Sequence, residues 1–290
     1  MIPIVSVGLP IYNGADHVER AIRAVLSQTL TNIELVISDN ASTDGTEAIC
    51  RGLADEDPRI RYFRNKTNLG AAANFNKVFH ESRAPYFKWL GHDDFLDQKA
   101  MEKALVVLEG NPEISIVYWL ERMTDDSGDT LREYRPGQAF HINGATPGAR
   151  FRQMLLWREL GFGGDPFFGL MRREALEATR LQGRGMNPNY LLLQELSLTG
   201  QIVTLPEVLA TRIYNDERVT AQRMIKWLDP LNQVRFPHFA KAKEYFRVGL
   251  SFGQMGRLDR ANNLISLVAY HLHPRELRGF LWDLTKGGFS

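Results

Sequence analysis

The sequence predicts an α/β fold: a mostly parallel sheet flanked by helices, with a helical extension at the C-terminal end. Three observations predict it. Short apolar runs alternate with amphipathic helical patterns from Val5 to Trp119, which implies βαβ units and parallel pairing. Polar clusters follow those runs, at the strand ends where open α/β sheets bind ligands. After Ile225 the pattern is helical to the end, interrupted at Pro230, Pro237 and Pro274.

The elements follow in order. Val5 to Leu9 is an apolar strand ended by Pro10, because proline donates no ladder hydrogen bond. From His17 to Ser27, residues Val18, Ala21, Ile22, Val25 and Leu26 fall on one helical face. Ile33 to Ser38 is a second strand with Asp39 at its carboxyl end, and Thr46 to Leu53 a helix. Ile60 to Phe63, Ala72 to Glu81, Tyr86 to Leu90, Gln98 to Leu108 and Ile114 to Trp119 continue as strand, helix, strand, helix and strand. Between Asp125 and Gly148 the sequence turns polar and Gly- and Pro-containing, a loop region. Helical and strand signals return from Ala149 to Arg212.

The 290 residues carry 35 basic and 34 acidic side chains, for a formal net charge of +1. Nothing in that balance calls for nucleic acid as a partner. Hydrophobic residues make up 44%, enough for a core without metal or disulfide staples. Cys50 is the single cysteine; it falls in a predicted helix as a buried small hydrophobe, and such usage suits a reducing cytoplasm. No signal peptide or membrane-spanning run is expected. The expected location is cytoplasmic, or peripheral at the inner face of the membrane.

Chemistry gathers at four strand ends. Pro10-Ile11-Tyr12-Asn13-Gly14 forms a tight turn into a helix. Tyr12 is placed to stack on a base, with nearby backbone N–H groups meeting a diphosphate; the alternative is a turn capping its helix. Asp39 ends the second strand, and a carboxylate there either accepts from a base or ribose or braces the loop. Ser42 and Asp44 are helix N-cap residues. After the third strand, Asn68 and Gly70 serve a turn or touch the ligand, and Asn74 braces the neighbouring loop. The fourth strand leads into Gly91-His92-Asp93-Asp94. Adjacent carboxylates repel and need a compensating cation or hydrogen bonds, and Mg2+ or Mn2+ suits one or two carboxylates plus phosphate oxygens. Asp94 or Asp97 alternatively caps the helix near Gln98. No dinucleotide fingerprint, Walker A loop, nucleophile elbow or zinc spacing is present.

Taken in order, these strand ends resemble glycosyltransferase family 2. The turn at Pro10 to Asn13, the run from Asp39 to Thr46, Asn68 to Gly70, and the carboxylates after the fourth strand match its pattern. Gly169 to Arg173, Leu196 to Gln201, Leu205 to Leu209 and Arg212 continue it. The resemblance implies a GT-A fold and inverting transfer from a nucleoside-diphosphate sugar of UDP, GDP or dTDP type, with Mg2+ or Mn2+. The acceptor would be a hydroxyl on a glycan or lipid-linked glycan, in polysaccharide or glycan biosynthesis. Residues 1–224 would form the catalytic domain, with 1–120 the nucleotide-binding half and 121–224 the acceptor-binding half, and 225–290 the helical extension. Asp39 would contact the nucleobase beside Pro10, Tyr12 and Asn13, with Asn68 and Gly70 nearby. Asp93 would hold the metal, with Asp94 beside it.

Two positions depart from the family. Gly91 stands at the first aspartate of its Asp-x-Asp, and Asn189 at its general base. An amide cannot serve as a base, so Asp165 or Glu195 substitutes, the register shifts, or activity is weak or absent. The competing readings are a catalytically weak or inactive nucleotide-sugar-binding protein and a nucleotidyltransferase on a related fold. The last expects a glycine-rich basic loop after the first strand, which Pro10 to Gly14 does not supply. In the extension, Arg257, Arg260, Arg275 and Arg278 lie beside Leu264, Ile265, Leu267 and Trp282. These helices pack on the catalytic domain, contact a membrane peripherally, or pair in a homo-oligomer.

Overall fold

The computed structural model describes residues 2–125, 127–160, 165–183, 187–213, 237–251 and 255–286. Four strands, β1 (Val5–Ile11), β2 (Ile33–Asp39), β3 (Ile60–Arg64) and β4 (Tyr86–Trp89), alternate with α1 (Val18–Leu26), α2 (Thr46–Glu56) and α3 (Ala71–Glu81). Then come β5 (Asp94–Leu96), α4 (Ala100–Gly110), β6 (Ile114–Thr124), β7 (Thr130–Glu133) and α5 (Pro147–Leu160). After them lie β8 (Leu170–Arg172), α6 (Arg173–Glu177), α7 (Pro188–Thr199) and β9 (Gln201–Ile213). The chain continues in α8 (Pro237–Ser251), α9 (Arg257–His271) and α10 (Pro274–Lys286).

The sheet runs β3-β2-β1-β4-β8-β6-β9-β5, with β7 on β6. Its long ladders, β1 with β2 and β6 with β9, are parallel, whereas those of β8, β5 and β7 are short and antiparallel. Side chains alternate between its faces. Val5, Val7, Leu9 and Ile11 join Leu35, Ile37 and residues of α1, α2 and α4 in one cluster. On the other face Phe87, Trp89, Ile116 and Tyr118 meet α3, α5, α7 and α8.

Pro10 does not end β1. The strand runs to Ile11, with Pro10 opposite Ser38. Gly8 O accepts from Leu90 N and Ile11 O from Asn40 N, so the parity of the strand turns Pro10 toward β4. That strand is paired only as far as Gly8 opposite Trp89, and no ladder bond is lost. Likewise β6 continues five residues beyond Trp119, because β9 pairs with it as far as Thr124. The region 125–148, expected as loop, contains β7, a 3-10 turn at Pro136–Gln138 and the start of α5. Their short polar sequences carry little periodic signal.

Pro237 and Pro274 open α8 and α10 as their first residues, where a missing N–H costs nothing; Pro230 and 225–236 lie outside the described residues. Helices α8 and α9 share the core of α5 and α7 through Tyr245, Val248 and Leu267, with Met255 just before α9. At Gly249 an added Cβ would lie 2.7 Å from Phe151 and 2.8 Å from Leu267, so the absent side chain is what lets the helices approach. Among the described residues no helix is long and apolar enough to cross a membrane.

Candidate active site

The loops after β1 and β2 clasp each other. Asn13 N donates to Ser42 Oγ at 2.9 Å, Gly14 N to Thr46 Oγ1 at 2.9 Å and Ala15 N to Asp44 Oδ2 at 3.1 Å. In return Asn13 Oδ1 accepts from Thr43 N at 2.8 Å. Asn13 takes a positive φ of 51°, a conformation asparagine tolerates better than most residues. The backbone amides of Asn13, Gly14 and Ala15 are therefore spent within the protein, whereas N–H groups near this turn were expected to meet a diphosphate. Tyr12, between the clasped residues, is 41% exposed.

Asp39 braces its loop through both carboxylate oxygens. It is fully buried. Oδ1 accepts from Ser42 N at 2.8 Å, and Oδ2 accepts from Tyr62 Oη at 2.8 Å with Arg64 Nε at 3.5 Å. Burial, then the bond to Asp39, raises the Tyr62 phenol well above its ordinary value. Burial also pushes the Cys50 thiol up to about 12, as befits an inert packed cysteine.

The third loop is tied to the second. Asn68 Oδ1 accepts from Asn40 Nδ2 at 2.8 Å and Gly70 N at 2.9 Å, and Gly70 has φ 83°, so both residues hold a turn. Asn74 is buried and braces the rim as expected: its Oδ1 accepts from Ser38 Oγ and Asn65 Nδ2, and its Nδ2 donates to Ser38 O.

After β4 the chain folds back over Gly91. A Cβ there would lie 2.8 Å from Asp94 Oδ2 and 2.9 Å from Asp93 Oδ1, so both carboxylates converge on the space a side chain would fill. The same stretch touches the clasp: a Cβ on Gly14 would lie 2.7 Å from His92 Cδ2. Asp39, Asn13 and Asp93 thus stand on one continuous rim.

The two aspartates are not equivalent. Asp94 is buried, with Oδ1 accepting from Arg212 Nε at 3.0 Å and Oδ2 from Gly91 N at 3.3 Å. The Asp93 side chain is 19% exposed. A cation held by one carboxylate and phosphate oxygens fits Asp93, whereas Asp94, expected as a second ligand, is committed to Arg212. Helix α4 is approached through Asp97, whose Oδ1 accepts from Lys99 N. Among the described residues no three His, Cys, Asp or Glu side chains are grouped to hold an ion.

Beneath this rim lies a buried charge cluster that strand-end motifs do not reveal. Arg212 reaches Glu121 Oε1 at 3.2 Å as well as Asp94, and lies over the Phe168 ring. Burial disfavours its charge, but Asp94, Glu121 and Asp165 hold the guanidinium above its ordinary value. Burial raises Glu121 to about 7, with Arg212 opposing and Asp94 and Asp165 adding to the shift. Burial also raises Asp165, against the pull of Arg212. Lys88 is wholly buried and burial lowers it to about 7, only partly offset by Asp94 and Glu121. Its Nζ donates to Trp89 O and Phe168 O and lies over the Trp119 ring. The signal in the sequence was a lone lysine within the apolar strand Tyr86 to Leu90.

Of the two substitute bases, Asp165 joins this cluster, its Oδ1 accepting from Phe167 N at 3.1 Å. Glu195 does not. It is 2% exposed, in the second half of α7 leading to the amino end of β9, and both its oxygens are taken by Arg180. Asn189 Oδ1 accepts from Gln182 Nε2 at 2.8 Å.

A family model described as glycosyl transferase family 2 matches residues 6–180. A Rickettsia felis protein named uncharacterized glycosyltransferase is 34% identical over 142 residues, 49% of this chain and 23% of that protein. The chondroitin synthase of Escherichia coli is 32% identical over 130 residues, 45% of this chain and 19% of its own length. The match thus spans less than a quarter of either relative. The 1–349 segment of S. aureus TarS in complex with UDP-GlcNAc superposes with TM-score 0.68 at 13% identity, over 98% of this chain and 80% of that one. The mannosyltransferase PcManGT from Pyrobaculum calidifontis, in complex with GDP-Man and Mn2+, gives 0.58 at 16% identity, over 98% and 74%. These likenesses show the GT-A fold.

Proposed function

This chain belongs to glycosyl transferase family 2, and on that premise we propose that it transfers a sugar, with inversion, from a nucleoside-diphosphate sugar to a hydroxyl of a glycan or lipid-linked acceptor. The observation that carries the reading is the continuous rim on which the clasped loops of Asn13 and Asp39 meet His92 and Asp93. Donors of the UDP, GDP or dTDP class fit it: two structural neighbours bind UDP-GlcNAc and GDP-Man.

In this proposal the exposed Tyr12 ring stacks on the base beside Pro10, and Asn13 offers its side-chain Nδ2 to the nucleotide. Asp39, with Asn68 and Gly70, keeps the shelf beneath it rigid. Asp93 would hold Mg2+ or Mn2+, which supplies positive charge against the departing diphosphate. The Asn13, Gly14 and Ala15 amides are engaged internally, so the cation would take the part of backbone donors toward the diphosphate. Asp165 takes the proton from the acceptor hydroxyl as its oxygen attacks the anomeric carbon from the face opposite the diphosphate. Burial raises the Asp165 carboxyl above its ordinary value, which makes it a stronger proton acceptor than an exposed aspartate.

Asn189 at the family's base position favours a second reading, a nucleotide-sugar-binding protein with little or no transfer. Release of nucleoside diphosphate from UDP-GlcNAc and GDP-mannose, with wild type and Asp93→Ala, separates the two. Turnover that requires Asp93 supports the transferase; binding without turnover supports the second reading.

A further inference from the structure

Helices α9 and α10 turn a large apolar face outward, while their inward face mixes Leu267 with buried polar groups. On α9, Leu258, Leu264, Ile265, Val268 and the following Leu272 face outward, while Asn263 and His271 are buried. On α10 the outward residues include Leu277, Leu281 and Leu284, while Glu276 and Asp283 are buried. The eight apolar side chains are between 40% and 75% exposed, and they are more than half of the large apolar residues exposed among the described residues. Scattered singly such residues mean nothing, but a contiguous face of them marks a surface with an occupant.

Charge identifies the occupant. The three acids of this segment all point inward and are engaged. Asp259 accepts from Thr146 Oγ1 and pairs with Arg152, Glu276 pairs with Lys241, and Asp283 accepts the His238 and Phe239 amides at the start of α8. The four arginines, Arg257, Arg260, Arg275 and Arg278, are all exposed. Among the described residues of this segment, the outward face is therefore leucine, isoleucine and valine with exposed arginines beside it. Two copies meeting through it would set arginine against arginine, whereas a surface of anionic phospholipid satisfies both components at once.

We propose that α9 and α10 form a docking face for an anionic membrane surface. The apolar stripe enters the headgroup boundary and the arginines meet lipid phosphates. The inward acids serve this arrangement: Asp283 caps α8 and Glu276 holds Lys241, so the helices keep their orientation by polar ties and leave the leucines outside. The inference stands apart from the strand-end site and survives if the transferase reading fails.

Flotation of the full chain tests it, with vesicles of phosphatidylcholine alone or mixed with phosphatidylglycerol. Binding is expected only to the mixed vesicles and should weaken as salt rises. Arg260→Ser and Arg278→Ser should each lower the partition coefficient about five-fold. Ile265→Ser with Leu281→Ser should abolish flotation while leaving the circular dichroism spectrum and donor binding intact, since both side chains are exposed. The proposal is overturned by equal binding to both vesicles, by none to either, or by a homodimer in solution that Ile265→Asp dissociates.

Discussion

Arg212 Nε lies 3.0 Å from Asp94 Oδ1, and this pairing gives two adjacent aspartates different work. Asp94 joins the buried cluster that anchors β5 to β9, and Asp93 is left on the rim. Replacing Arg212 by Met strands the buried carboxylates of Asp94 and Glu121. The loss should be about 3–5 kcal/mol of stability, the usual cost of breaking a buried pair from one side. Urea denaturation measures it, and Arg212→Met with Glu121→Gln should lose less than the two single changes summed.

Lys88 and Glu121 make stability depend on pH in opposite directions. Folding lowers Lys88 from 10.5 to about 7, so between those values the unfolded chain binds the extra proton and stability rises with pH. Folding raises Glu121 from 4.5 to about 7, so between those values the folded chain holds the extra proton and stability falls as pH rises. Lys88→Met should flatten the upper slope and Glu121→Gln the lower one. Denaturation midpoints across the pH range check both.

Asp165→Asn should lower kcat about 10²–10⁴-fold, the range for a lost general base, with donor Kd little changed. Glu195→Gln should leave kcat near wild type and reduce stability, because its partner is Arg180. Equal kcat losses in both variants would remove Asp165 from the role.

Gly91→Ala places a Cβ against both carboxylates, 2.8 and 2.9 Å from their oxygens. Displacing Asp93 should lower kcat/KM, by up to about 10²-fold if the carboxylate moves by about 1 Å. Steady-state kinetics on a purified, folded variant decide it. The departure from an Asp-x-Asp pattern is then a packing requirement of this chain.

The parallel strands β1 to β4 and helices α1 to α4 were legible because period-2 and period-3.6 apolar patterns are strong there. So was the rim, since each of its residues directly follows a strand. Strands β5 and β8 were not, at three residues each; they exist only through pairing with β9, β4 and β6. The contacts of Asp39 with Tyr62 and Arg64 were not legible, because both partners lie on β3, more than twenty residues away along the chain. The Lys88–Arg212 cluster is assembled from four strands and the loop at Asp165, a juxtaposition that spacing along the chain does not encode. Asp93 and Asp94 looked interchangeable until Arg212 was in view.

Calorimetric titration of UDP-, GDP- and dTDP-sugars, with and without Mn2+, into wild type and Asp93→Asn tests the central claim most directly. One donor should bind wild type with an affinity that Mn2+ strengthens at least about ten-fold, and Asp93→Asn should lose that enhancement. A donor affinity indifferent to both Mn2+ and Asp93, or no binding of any donor, would contradict the account.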